Sequence, residues 1–309
     1  MFNNDYLKII ITGAGGFVGR NLCEYLADKY TIYPVTHKEL ELLNENNVEK
    51  FIRKNGINFI IHCASIGGTR KTGYDINSVD VVSKNLRMFF NLARTLTPEM
   101  RMINLGSGAE YDKNRPLIKV DEEEFDNHIP KDDYGYSKYL ISKYIEKTEN
   151  INCLRIFGLY GKYEDTSFKF ISNAIIKNLF KMPITINQNV YFDYLYIDDF
   201  VKIIDKIIQK QPSNNILNLT PTDKIDLISI ASIINEISDY KSEIIVNNEG
   251  LNKEYSGNNK KLFNEYGDLE LISYIEGIRE LYEYLNKNIH NIDVELIKND
   301  KYITFCKIK

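Results

Sequence analysis

Little in this sequence could serve covalent or metal chemistry. Four cysteines occur in 309 residues, and Cys23, Cys63, Cys153 and Cys306 stand far apart with no C-x-x-C pair. That spacing argues against a disulfide framework and fits reduced thiols in a cytosolic protein. The four histidines form no cluster with cysteine or aspartate at metal-ligand spacing, so no metal is expected. A basic excess is missing as well: the formal net charge is −4, and no basic run is interleaved with aromatics. A nucleic-acid partner is therefore not expected. No apolar run is long enough for a signal peptide or a bilayer span, so the expectation is a cytoplasmic protein with no membrane partner. Internal repeats and long linkers are also lacking. An apolar fraction of 43% leaves enough material for a sizeable core.

Short β-branched runs alternate with helical periodicity through the first half. "LKIII", "TIYPVT", "INFIIHCAS", "RMINLGS" and "INCLRIFGLYG" (151–161) read as strands. Between them, "VEKFIRKNG" reads as a helix closed by Gly56, and helices are expected over 79–96 and from 134 to 148. Such alternation implies βαβ units and a parallel sheet, an α/β fold. Beyond Gly161 the alternation becomes irregular. The expected division is a sheet domain over 1–165 with a return near 185–220, and a smaller lobe from 166–184 and 221–309. The tail "IHNIDVELIKNDKYITFCKIK" reads as strand-like. "DEEEF" (121–125) reads as a solvated acidic run, and His62, in an apolar strand, as a satisfied core histidine.

"TGAGGFVG" sets Gly13, Gly16 and Gly19 at G-x-x-G-x-x-G spacing between the first strand and a helix. Glycine permits a tight turn and close backbone approach, and the helix start offers free N–H groups to a pyrophosphate. Gly13, Gly15, Gly16, Phe17, Val18 and Gly19 are the candidate loop of a dinucleotide site. Specificity for NAD usually rests on an acid ending the second strand. Here Thr36, His37 and Lys38 precede the first acid, Glu39. A lysine and a histidine suit a 2′-phosphate, so NADP(H) is expected over NAD(H).

Tyr134 and Lys138 are four residues apart in "YGYSK", on one face of a helix. A free tyrosine titrates at about 10, and a nearby ammonium favours its phenolate. Tyr134 is thus a candidate proton donor or acceptor, and Lys138 can also reach cofactor ribose hydroxyls. A second pair, Tyr139 and Lys143, has the same spacing but no glycine-flanked serine to partner it. Ser107, between Gly106 and Gly108 at a strand end, completes a Ser–Tyr–Lys set, and so small a loop lets a ligand reach Ser107 and Gly108 closely.

Taken in order, "TGAGGFVG", "IHCAS", "LGSGAEY", "YGYSK", "LRIFGLYG" and "PITINQNVYFDYLYIDDFV" resemble the extended short-chain dehydrogenase/reductase family, in its nucleotide-sugar epimerase/dehydratase/reductase branch. The resemblance implies a Rossmann-like doubly wound sheet carrying NAD(P), a C-terminal lobe for a nucleoside-diphosphate sugar, and a homodimer formed through the helices at 79–96 and 134–149. It makes Ser107, Tyr134 and Lys138 the catalytic set. It puts Cys63, Ala64, Ser65, Asn85, Leu105, Phe157 and Gly158 near the cofactor, and Asn173 and Lys177 near the diphosphate sugar. Three readings follow: a 4-ketoreductase, a 4-epimerase or epimerase–reductase, and a non-catalytic NADP-binding sensor. The relatives that dehydrate carry an acidic pair after the hydroxyl residue; here Gly108 and Ala109 follow, and continued strand alternation would turn Glu110 away. The epimerase–reductases carry a cysteine and a histidine where this chain has Ala109 and Tyr163. Simple reduction at C4 is the expected chemistry.

Overall fold

The computed structural model describes residues 7–68, 80–267, 269–304 and 306. Its frame is built in chain order from β1 (Lys8–Thr12), α1 (Phe17–Leu26), β2 (Thr31–Val35), α2 (Glu45–Asn55), β3 (Phe59–His62), α3 (Val81–Ala93) and β4 (Arg101–Ser107). It continues through β5 (Leu117–Val120), α4 (Asp133–Ile145), β6 (Ile151–Ile156), β7 (Leu159–Tyr160), α5 (Phe170–Leu179), β8 (Ile184–Asn189), β9 (Tyr191–Phe192) and β10 (Leu195–Tyr196). The last elements are α6 (Ile197–Gln209), β11 (Ile216–Leu219), β12 (Ile225–Asp226), α7 (Leu227–Ile237), β13 (Ile244–Leu251), β14 (Tyr255–Gly257), α8 (Lys260–Tyr266), α9 (Tyr274–Lys287), α10 (Val294–Lys298) and α11 (Lys301–Thr304).

Among the described residues, six strands form one parallel sheet in the order β11-β6-β4-β3-β1-β2. The period of two along each strand divides the core into two layers. Ile9, Ile11, Ile61 and Leu154 face one layer with α1 and α6. Ile10, Ile60, Met102 and Cys153 face the other, with Val48 and Ile52 of α2, Phe89 of α3 and Ile141 of α4. The direction of winding reverses beside β1, which opens a crevice between the C-terminal ends of β1 and β3. At the outer strand β2, Pro34 lies opposite Ile11. At the other edge, β11 meets the 3₁₀ turn Glu122–Glu124, where Glu122 accepts the Asn218 N–H at 2.8 Å.

The rest of the chain packs beside the strands' C-terminal ends. β12, β9, β14 and β5 form a small mixed sheet, and β13 pairs with β8. The segment Ile184–Asn189 thus joins β13, while α6 and β11 return to the main sheet. Three expectations are corrected. The strand read over 151–161 breaks in two, because Phe157 and Gly158 turn: a Cβ at Gly158 would stand 2.6 Å from the Asp193 carbonyl. The strand-like tail folds as α10 and α11, with Asp293 accepting the Glu295 N–H and Ile297 and Tyr302 buried; residues 305 and 307–309 of it lie outside the described residues, as does residue 79 of the expected helix 79–96. The acidic run is not wholly solvated, since Glu122 is buried. No helix among the described residues is long and apolar enough to cross a membrane, and no His, Cys, Asp and Glu group there could hold a metal ion.

Glu164 is buried in the loop before α5 and accepts the Ser172 hydroxyl at 2.5 Å. Burial raises its carboxyl to about 7. A raised folded-state value means the native state binds the extra proton, so its contribution is present at acid pH and is lost as pH rises from about 4.5 to 7. Glu164→Gln should remove that loss, raising stability at pH 8 relative to pH 5 by up to about 3 kcal/mol. Denaturant unfolding at the two pH values checks this; equal changes at both would show that Glu164 is ionised throughout.

Candidate active site

The glycine loop is shaped by contacts a side chain would destroy. Gly13 is left-handed, at φ 66°, and a Cβ there would lie 3.0 Å from Ala64 backbone atoms. A Cβ on Gly19 would meet the Gly13 carbonyl at 2.3 Å, so α1 can sit this close to the loop only with glycine. Gly15 and Gly16 are exposed, and Gly16 caps α1 without a side chain. The start of α1 therefore opens on the crevice with its dipole uncovered. Thr12 fastens the crevice walls. Its hydroxyl accepts the Cys63 and Ala64 N–H groups, each at 3.1 Å, and its own proton goes to His62 Nδ1 at 2.8 Å. His62 is neutral, as burial lowers it to about 3, and it is the satisfied core histidine expected. These features fit a dinucleotide pyrophosphate laid across β1 and β3.

At the end of β2, Thr36 donates its N–H and its hydroxyl to Glu39. The first acid is folded back onto its own turn, while His37 and Lys38 stay exposed. Asn85 does not point its amide outward. It holds the Ile66 backbone at both N–H and C=O, each at 2.9 Å, and donates to Ser137 at 3.0 Å. That clamp sets the loop after Ser65, and the loop's Gly68 lies flat on Tyr134: a Cβ there would fall 2.6 Å from the ring.

Asp132 caps α4 by accepting the Gly135 N–H at 3.0 Å, so Tyr134 and Lys138 begin the helix. The Lys138 ammonium lies 5.8 Å from the Tyr134 ring centroid and donates to the Leu105 carbonyl at 2.7 Å. Burial lowers Lys138 from its ordinary value. Lys113, which the sequence reading did not single out, also stands near that ring, at 6.0 Å. The other pair is tied elsewhere: Tyr139 and Lys143 both bond Asp126.

Ser107 ends β4 and begins a capping box. Its hydroxyl accepts the Ala109 N–H at 3.1 Å, and Glu110 accepts the Ser107 N–H at 2.9 Å. Glu110 also takes the Ser142 hydroxyl and the Arg155 Nε, both at 2.6 Å, in a fully buried ion pair. The strand does not continue past Ser107, so alternation is not what turns Glu110 inward; the 3₁₀ turn Gly108–Tyr111 is. Each flanking glycine has a steric reason. A Cβ on Gly106 would strike Cys153 and Glu110, and one on Gly108 would strike Phe157 and the Tyr255 hydroxyl. Tyr255 carries no sequence signal as a site residue, being brought in by β14.

Asn173 and Lys177 are buried, with Asn173 donating to the Thr166 carbonyl and Lys177 paired to Asp300 at 2.7 Å. The Tyr163 hydroxyl donates to Glu24 at 2.7 Å and Arg20 stacks on its ring at 3.7 Å.

With this geometry in hand, the comparisons with known proteins agree on its kind. Residues 9–220 match the model of the NAD dependent epimerase/dehydratase family. GDP-L-colitose synthase of Yersinia pseudotuberculosis is 24% identical over 314 residues, covering 92% of this chain and 100% of that protein. Among solved structures, UDP-glucose 4-epimerase from Thermotoga maritima superposes with a TM-score of 0.80 at 18% identity, covering 92% of this chain and all of that one. The dTDP-4-dehydrorhamnose reductase of Bacillus anthracis, in complex with NADP, gives 0.75 at 22% identity, over 90% and 99% of the two chains. The fold they share with this protein is the Rossmann-like one.

Proposed function

Since this chain belongs to the NAD dependent epimerase/dehydratase family, we propose that it reduces a 4-keto nucleoside-diphosphate sugar at C4, with NADPH preferred over NADH. One observation carries this reading, made among the described residues: positions 109, 110 and 163 offer no free proton carrier beside Ser107, Tyr134 and Lys138. Ala109 has no proton to give, Glu110 is locked to Arg155, and Tyr163 is latched to Glu24. Moving protons at C3 or C5 needs such a group within reach. When bound, the nicotinamide supplies the hydride. Tyr134 supplies the proton to the sugar oxygen, and Ser107 donates a hydrogen bond to that oxygen. Lys138 keeps positive charge beside Tyr134. His37 and Lys38, with Glu39 turned back on Thr36, support the NADPH preference. In the same reading, two copies pair through α3 and α4, where Tyr136 and Tyr144 are exposed.

The test is turnover in D₂O, read by NMR. The substrates are 4-keto-6-deoxy nucleoside-diphosphate sugars carrying guanosine, uridine or thymidine, with NADPH. Product with hydrogen retained at C3 and C5 is expected. Deuterium at either carbon means an epimerase–reductase instead. Turnover of a non-keto nucleotide sugar without added reductant means a 4-epimerase with bound NAD. Calorimetric titration in parallel should show NADPH binding about tenfold or more above NADH, the worth of one charge-assisted contact. Equal affinities would remove the cofactor preference.

A further inference from the structure

We propose that Tyr255 is a positioning residue which fixes the direction of the Ser107 hydroxyl, so that Ser107 can only donate toward the substrate. The proposal rests on the reductive reading of Ser107 given above. The Tyr255 hydroxyl stands against Gly108, the residue after Ser107, 2.7 Å from where a Cβ would be. Its ring is packed between Phe157 and Phe192, at centroid distances of 5.2 and 6.0 Å. The strand that carries it is fastened on both sides. Leu117 N–H donates to the Glu254 carbonyl at 2.8 Å, and Gly257 N–H to Asp193 at 2.7 Å. The phenol is thus carried by β14, which is tied to β5 and to Asp193, and held against the turn that follows Ser107 at the end of β4.

The direction follows from counting protons and lone pairs. A serine hydroxyl has one proton and two acceptor sites. The Ala109 N–H uses one acceptor site at 3.1 Å. Burial raises Tyr255 above the ordinary tyrosine value, so its phenol keeps its proton at neutral pH. A ketone oxygen brings lone pairs and no proton. Every group is then satisfied in one arrangement: Tyr255 donates to Ser107, and Ser107 donates to the ketone. The hydroxyl dipole is aimed before the substrate arrives, and it needs no reorientation as charge builds on the oxygen. Without the phenol, the serine rotor is free to turn away.

Two measurements test this. The first is a double-mutant cycle with the same keto sugars and NADPH. Tyr255→Phe should lower kcat about tenfold, with KM little changed, the worth of one hydrogen bond. Added to Ser107→Ala, it should cost nothing more, because its effect passes through the serine. An equal loss in both backgrounds would overturn the proposal, since a structural role or a direct substrate contact gives that result. The second is a crystal structure of the NADPH complex. Tyr255 Oη within about 3 Å of Ser107 Oγ is expected; a ring turned away, or a water between the two, overturns it. If wild-type protein turns over none of these sugars, the reductive reading fails, and the crystal structure still decides the Tyr255–Ser107 contact.

Discussion

Replacing Tyr134 by phenylalanine should lower turnover by roughly 10²–10⁴, the range for losing a general acid, while NADPH binding is retained. The ring would still fill its place against Gly68, and Lys138 would still donate to Leu105, so the fold and the cofactor crevice are untouched. What disappears is the proton. Ser107→Ala should cost less, because it removes one stabilising hydrogen bond and leaves proton transfer in place. Steady-state kinetics and cofactor titration of the same preparations separate the two roles. Near wild-type turnover in Tyr134→Phe, with loss in Tyr139→Phe, would transfer the role to the wrong-looking pair.

Arg155→Ala should cost roughly 3–5 kcal/mol of stability, because it strands the Glu110 carboxylate in the core. The guanidinium is almost wholly buried, bonded to Glu110 at 2.6 Å and to the Tyr111 hydroxyl at 2.8 Å, and it lies 4.0 Å from the Phe125 ring centre. Replacing both charges, as Glu110→Leu with Arg155→Met, should recover much of that stability. It should not recover activity, since the Ser107 N–H and the Ser142 hydroxyl lose their acceptor. Urea midpoints beside kinetics would show the split. A midpoint unmoved in Arg155→Ala would mean that water reaches the pair.

Local chemistry was legible from the sequence and assembly was not. The glycine loop could be read because its conformation is set by a handful of adjacent residues, and Tyr134 with Lys138 because a helix fixes their spacing. Glu110 does turn away, but not by strand alternation: "SGAE" carries the S-x-x-E capping-box signature that stops the strand. "DEEE" hides a similar turn, with the Glu124 carboxylate accepting the Asp121 N–H at 3.3 Å. Lys177 was a sugar candidate by resemblance alone, and its pairing with Asp300 was not legible because Asp300 lies in a tail read as strand. Tyr255 and Lys113 could not have been found: no periodicity links them to Ser107 or Tyr134, and only the packing of the small sheet and the loop after β4 brings them there.

The two rims of the main sheet have a bearing on how the protein behaves when concentrated. Thr31 donates its N–H inward, to Leu7, so alternation points position 34 outward, and there proline offers no donor. On the far rim, the outward N–H of Asn218 is already taken by Glu122. An incoming strand from another molecule would find a missing donor at one side and a buried carboxylate at the other. Edge-to-edge aggregation is blocked at both ends of the sheet by single residues. Substituting Pro34 by valine or Glu122 by alanine would reopen a rim without touching the crevice where the chemistry is done.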